Sequence, residues 1–143
     1  MKFDVKILAA LAVVAATPAL AEGDAAAGEK VFNQCATCHS IVDDAGTQLA
    51  GRGAKTGPNL YGVLHRAAGS RADFEGYGED MKAAGAKGLT WDEEHFLQYV
   101  QNPSKFLQGY LENKKAKGKM TFQLKKEEDA KNVWAYVTSL GPK

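Results

Sequence analysis

Ala130, Val133, Trp134 and Val137 fall at i, i+3, i+4 and i+7, so the stretch from Glu127 to Leu140 carries one apolar stripe and predicts a helix. Its acidic start suits the positive end of a helix dipole. At the other end, Asp24 is a good N-cap for a helix over Ala25 to about Gln34, anchored by Val31 and Phe32. Gly28 lies four residues before Phe32 on the same face, where a missing side chain lets another helix cross closely. Thr90-Trp91-Asp92-Glu93 reads as a capping box opening a helix from Trp91 to about Gln101, with Phe96, Leu97, Tyr99 and Val100 inside it and Asn102-Pro103 as its stop. A short helix is expected over Gly76 to Ala84, closed by Gly85 and holding Met81. Between them the periodicity is lost. Asp43, Asp44, Gly46, Gly51 and Gly53 mark a loop, and Ser104 to Leu124 predicts mainly irregular backbone with at most one turn of helix near Phe106 to Leu111. β signals are almost absent, so the class is all-α with long loops.

The first 21 residues stand outside this pattern. Lys2 and Lys6 precede an apolar run from Ile7 to Ala16, Pro18 breaks it, and Ala19-Leu20-Ala21 is a small-x-small cleavage site. We therefore expect a cleaved secretory leader over residues 1–21 and a single domain over residues 22–143. The remainder holds 16 basic and 16 acidic side chains, which makes nucleic acid an unlikely partner class. The balance conceals a dipole. Seven lysines from Lys105 to Lys126 face one acid, Glu112, whereas seven acids from Asp73 to Glu94 face only Lys82 and Lys87.

Chemistry concentrates at Cys35-Ala36-Thr37-Cys38-His39, the spacing of a c-type haem attachment site. On a helical turn it offers both sulfurs to one edge of a haem and places the next side chain, His39, under the iron. Zinc fits poorly, because the chain has only two cysteines. A thiol-disulfide centre wants a preceding strand, and none is read here. A ligating imidazole needs its other nitrogen satisfied, for which the Pro58 carbonyl in Lys55-Thr56-Gly57-Pro58-Asn59-Leu60 is a candidate. The candidates for the opposite axial position are Met81, Met120, His65, His95 and a lysine. Met120 is best placed, in the irregular Gly118-Lys119-Met120-Thr121-Phe122 segment, since a loop can bring a thioether over a haem without breaking a helix.

Taken in order, the Gly28/Phe32 helix, Cys35-x-x-Cys38-His39, Thr56 to Leu60, Arg66, Trp91, Asn102-Pro103, Lys119-Met120 and the Val133/Tyr136 helix give a chain that resembles the class I c-type cytochromes, most closely the bacterial cytochrome c2 and cytochrome c550 group. The resemblance implies an all-α fold in which crossed terminal helices and wrapped loops enclose one covalent haem c. It also implies Cys35 and Cys38 as thioether residues and His39 and Met120 as axial ligands. By the same resemblance Pro58 accepts the His39 proton, Arg66, Tyr77 and Trp91 serve the propionates, and Tyr99 packs by Met120. The implied role is a periplasmic one-electron carrier, not an enzyme, between the cytochrome bc1 complex and a photosynthetic reaction centre or cytochrome c oxidase. Docking is expected through Lys55, Lys105, Lys117, Lys119 and Lys126. The rival is a haem enzyme or ligand sensor with an open distal site, for which only His65 or His95 could supply acid-base chemistry. Four departures stand out. About eight residues are inserted between Gly109 and Lys119, Gly118 replaces a common threonine, Met81 falls near a position often held by asparagine, and His65 replaces a common glycine.

Overall fold

The structure is a computed structural model that describes residues 22–143; the leader expected over residues 1–21 lies outside them. Helix α1 is Ala25–Cys35, and Asp24 caps it by accepting from the amides of Ala26 and Ala27. The C-terminal helix, Glu127–Ser139, crosses α1 and is numbered α5 in chain order. Gly28 is where they meet: a β-carbon there would sit inside the carbonyl group of Asn132. Phe32 and Tyr136 pack beside that point with ring centroids 5.6 Å apart. The crossing anticipated from Gly28, Phe32, Val133 and Tyr136 is thus present.

Asn132 joins the two helices by a polar contact as well. Its side chain is buried, and its Oδ1 accepts the Asp24 amide at 2.7 Å. Asn132→Ala should lower the unfolding free energy by about 1–2 kcal/mol, because it removes the partner of that amide inside a packed crossing. Urea unfolding of the holoprotein checks this; an unchanged midpoint would refute it.

After α1 the chain makes a short hairpin, β1 (Ile41–Val42) against β2 (Gln48–Ala50), which the pattern of residues did not predict. The strands are too short for alternation to register. The hairpin turn is tied by Asp43, whose carboxylate accepts from Ala45 and Thr47. Asn59 extends the ladder by accepting the Val42 amide and donating to the Val42 carbonyl. Helix α2 is Glu79–Ala86, displaced from the expected Gly76 to Ala84. Gly85 lies inside it and does not close it. Its role is close approach, since a β-carbon there would overlap the Ala68 carbonyl.

Helix α3, Glu93–Gln101, also begins later than expected. Thr90 does not cap it, because Thr90 bridges to Ala67 in extended pairing; Asp92 is the cap and accepts the His95 amide at 2.8 Å. Phe96 of α3 packs on Trp134 of α5, with centroids 5.0 Å apart.

The expectation of irregular backbone after Ser104 is corrected by α4, Pro103–Tyr110. Asn102 is extended, which ends α3, yet its side chain accepts the Lys105 amide and so caps the next helix. Pro103 then occupies the first turn, where its missing N–H costs nothing. The pair that stops one helix starts another. Leu107 of α4, Ile41, Leu89, Val133 and Val137 are among the largest fully buried side chains of a core shared by all five helices.

Candidate haem site

Cys35 ends α1, and the turn that follows is closed by two bonds to its carbonyl, from the amides of Cys38 at 3.0 Å and His39 at 2.9 Å. Both cysteines are free thiols and half-buried. Burial, helped by the neighbouring Cys38, pushes the Cys35 thiol up to about 11. Cys35 also sits at a helix C-terminus, the wrong end of the dipole for a redox-active thiolate. The arrangement therefore does not favour disulfide exchange.

His39 is held from two sides. Its Nδ1 meets the Pro58 carbonyl at 2.8 Å, which requires the proton on Nδ1 and leaves the Nε2 lone pair available. Burial lowers its basicity, against the opposing pull of the Pro58 contact, and so favours the neutral ring that a metal needs. Gly57 clamps the ring: a β-carbon there would overlap it, and the Gly57 amide donates to the Cys38 carbonyl at 2.8 Å. Gly57 was legible only as part of a loop. Its position directly before the carbonyl-bearing proline was the available signal.

Two arginines converge nearby. Arg66 donates to the carbonyls of Tyr61 at 2.9 Å and Asn59 at 3.1 Å. Burial lowers its pKa, partly offset by Tyr77. Arg71, which no motif in the sequence marks, donates to the Tyr61 carbonyl at 3.2 Å and pairs with Asp73 at 2.6 Å. It borders an open cleft of about 1030 Å³ that also involves Ser40, Lys55, Gly57, Asn59 and Phe74. Burial raises the Tyr77 hydroxyl pKa, and it pushes Tyr99 up to about 12. Trp91 packs tilted against Tyr99, centroids 5.1 Å apart, and Tyr99 meets Phe106 edge-on at 5.9 Å.

The distal candidates separate clearly. Met81 is a buried packing residue of α2. His65 is exposed and left-handed at φ 63°, the conformation that explains why glycine is common there. His95 is engaged by the Thr90 carbonyl at 3.0 Å and the Asp92 carboxylate at 3.1 Å, packed edge-on against Phe106 and Tyr110. Met120 is partly buried, in non-helical backbone, and packs on the core. Among the described residues no cluster of three or more His, Cys, Asp or Glu could hold a metal ion by itself. Lys55, Lys105, Lys117, Lys119 and Lys126 are all exposed.

Residues 25–141 match the family profile described as Cytochrome c. The chain belongs to the cytochrome c family. Cytochrome c2 of Cereibacter sphaeroides is 71% identical over 138 residues, which cover 96% of this chain and 95% of that protein. Cytochrome c2 of Rhodobacter capsulatus is 47% identical over 140 residues, 98% of each chain. Among solved structures, cytochrome c2 from Rhodobacter sphaeroides superposes with a TM-score of 0.81 at 70% identity, covering 82% of this chain and 96% of its own. Ferric cytochrome c-550 from Paracoccus versutus superposes at 0.78 with 39% identity, covering 85% of this chain and all of its own.

The fold is accordingly that of class I cytochromes c, and the protein is an electron carrier of the c-type family, with one covalently bound haem c, and not an enzyme. The residues of the site fit that group. Two free thiols flank a turn that leads into a neutral, ring-clamped imidazole with one nitrogen spoken for and the other free.

Proposed function

We propose that the chain is a soluble periplasmic one-electron carrier, with residues 22–143 forming its single domain after cleavage of the leader over residues 1–21. The His39 arrangement carries this reading: Nδ1 on the Pro58 carbonyl, ring against Gly57, one residue after a free thiol. Cys35 and Cys38 form the thioethers, and His39 and Met120 are the axial ligands. Bound haem supplies a site that gains and loses one electron. The protein's part is to keep that site fixed and dry. Pro58 and Gly57 prevent the imidazole from turning. Arg66, Tyr77 and Trp91 supply donors and positive charge for the propionates, whose burial without them would be costly, and Arg71 adds to them. Tyr99, backed by Trp91 and Phe106, excludes water beside Met120.

Lys55, Lys105, Lys117, Lys119 and Lys126 surround the edge at which electrons leave. They speed encounter with an acidic partner without making a complex too tight to separate. The donor is the cytochrome bc1 complex; the acceptor is a photosynthetic reaction centre or a cytochrome c oxidase. Relatives from purple bacteria support this setting. No helix of the described residues is long and apolar enough to cross a membrane.

The test combines attachment and docking. Cys35→Ala/Cys38→Ala should lose all haem that survives denaturing electrophoresis. Lys105→Glu and Lys119→Glu should each slow reduction by a purified bc1 complex by about tenfold at low salt, with the difference vanishing as salt screens the charges. Rates indifferent to salt and to both substitutions would refute the docking face.

A further inference from the structure

Residues 111–119, the inserted stretch between α4 and Met120, contain no regular helix or strand, yet they are fastened at consecutive positions to two helices. Ala116 is buried, and its carbonyl accepts from the Gln108 side chain of α4 at 3.1 Å. The Lys117 amide donates to Asp80 Oδ2, on α2, at 2.8 Å. The Gly118 amide donates to Ser104 Oγ, on α4, at 3.0 Å. Gly118 is required for that approach, since a β-carbon would come within 2.9 Å of the Pro103 side chain. This gives a reason for glycine where threonine is common. On the α2 side the stem of Lys119 lies over Gly78. The chain is therefore pinned from both flanks immediately before the thioether.

We propose that Asp80 and Ser104 are positioning residues for Met120: by tethering the Lys117 and Gly118 amides they set how often the Met120 loop lifts away and admits an external ligand. The inference rests on Met120 being the axial ligand. Its physical basis is that a thioether is a weak ligand, so it leaves whenever its loop opens, and the opening frequency of a loop without regular structure depends on its few tethers. Asp80 offers a charged acceptor, and charge-assisted bonds are the stronger kind. Among the described residues, no other group accepts from the Lys117 amide.

The experiment is stopped-flow entry of imidazole into the ferric holoprotein at saturating imidazole, where the observed rate becomes the opening rate. The far-red sulfur-to-iron band is recorded first for each protein, and amide hydrogen exchange at Lys117 and Gly118 is measured alongside. Asp80→Ala and Ser104→Ala should keep the band, raise the opening rate by about tenfold and lose protection at those amides. Asp80→Asn, which retains an acceptor oxygen but not its charge, should raise the opening rate by about threefold, between wild type and Asp80→Ala. Asn132→Ala, which loosens the distant terminal crossing, and Glu112→Gln, which removes only the upstream ion pair with Lys87, should leave the opening rate unchanged. Unchanged rates in Asp80→Ala and Ser104→Ala with the band present would overturn this proposal alone, as would an equal acceleration by Asn132→Ala. A wild type without the band would overturn the ligand reading, and this proposal with it.

Discussion

Met120→Ala should abolish the far-red charge-transfer band of the ferric protein and let carbon monoxide bind the reduced form, while the reduced wild type excludes it. Of the distal candidates, Met81 is committed to the core, His95 to Thr90 and Asp92, and His65 to the surface. Met120 is partly buried and in non-helical backbone, and we propose that this backbone brings its soft thioether to the iron. Thioether ligation favours the reduced state, so its loss should also lower the reduction potential, by on the order of 0.1 V. Folding should largely survive, because Met120 is not among the most buried side chains. A band that persists in the variant, or carbon monoxide binding by the wild type, would remove Met120 from the coordination sphere and restore the open-site alternative.

The second large effect concerns two identical chemical changes with opposite outcomes. Gly28→Ala should destabilise the holoprotein by about 3 kcal/mol, because the added methyl would lie inside the Asn132 carbonyl and the helices can accept it only by moving apart. Gly109→Ala lies in α4 with nothing within 4 Å of the new methyl. There the substitution should stabilise by about 0.5–1 kcal/mol, by reducing the freedom of the unfolded chain. Urea unfolding of both variants decides the matter. Equal effects would mean that helix propensity, and not the α1 and α5 crossing, governs Gly28.

The residues that were legible in advance are those whose information is local. Asp24 caps its own helix, the Cys35 to His39 motif is a single turn, and the stripe of α5 repeats at helical period whatever surrounds it. Pro58 could be named because a ligating imidazole has a known second need, and a proline carbonyl stands in the motif that follows. Gly28 could be named because a glycine on an otherwise apolar face has few other uses.

The misreadings share a cause. Asn102-Pro103 reads as a stop because its backbone consequence for α3 is unambiguous, whereas its second use, as cap and first turn of α4, depends on Leu107 having a core to enter. Thr90 has the chemistry of a cap, but Ala67 lies across from it and takes it into extended pairing, so the helix waits for Asp92. Gly85 has the look of a terminator, and its real constraint comes from a carbonyl seventeen positions upstream, at Ala68.

By itself, then, the sequence determined the helical class, both terminal helices, the attachment turn and His39 with its proline partner, because each rests on spacing, on local chemistry or on the second hydrogen bond that a ligating imidazole needs. Only the tertiary structure decided that Gly57 clamps the imidazole, that Arg71 joins Arg66 near the cleft, and that Asp80 and Ser104 hold the strap leading to Met120. Those contacts join residues 14 to 37 positions apart in the strap and 10 positions apart at Arg71, through backbone groups that every residue possesses. A backbone amide or carbonyl has no signature in a sequence, so which side chain reaches it is settled only when the chain has folded.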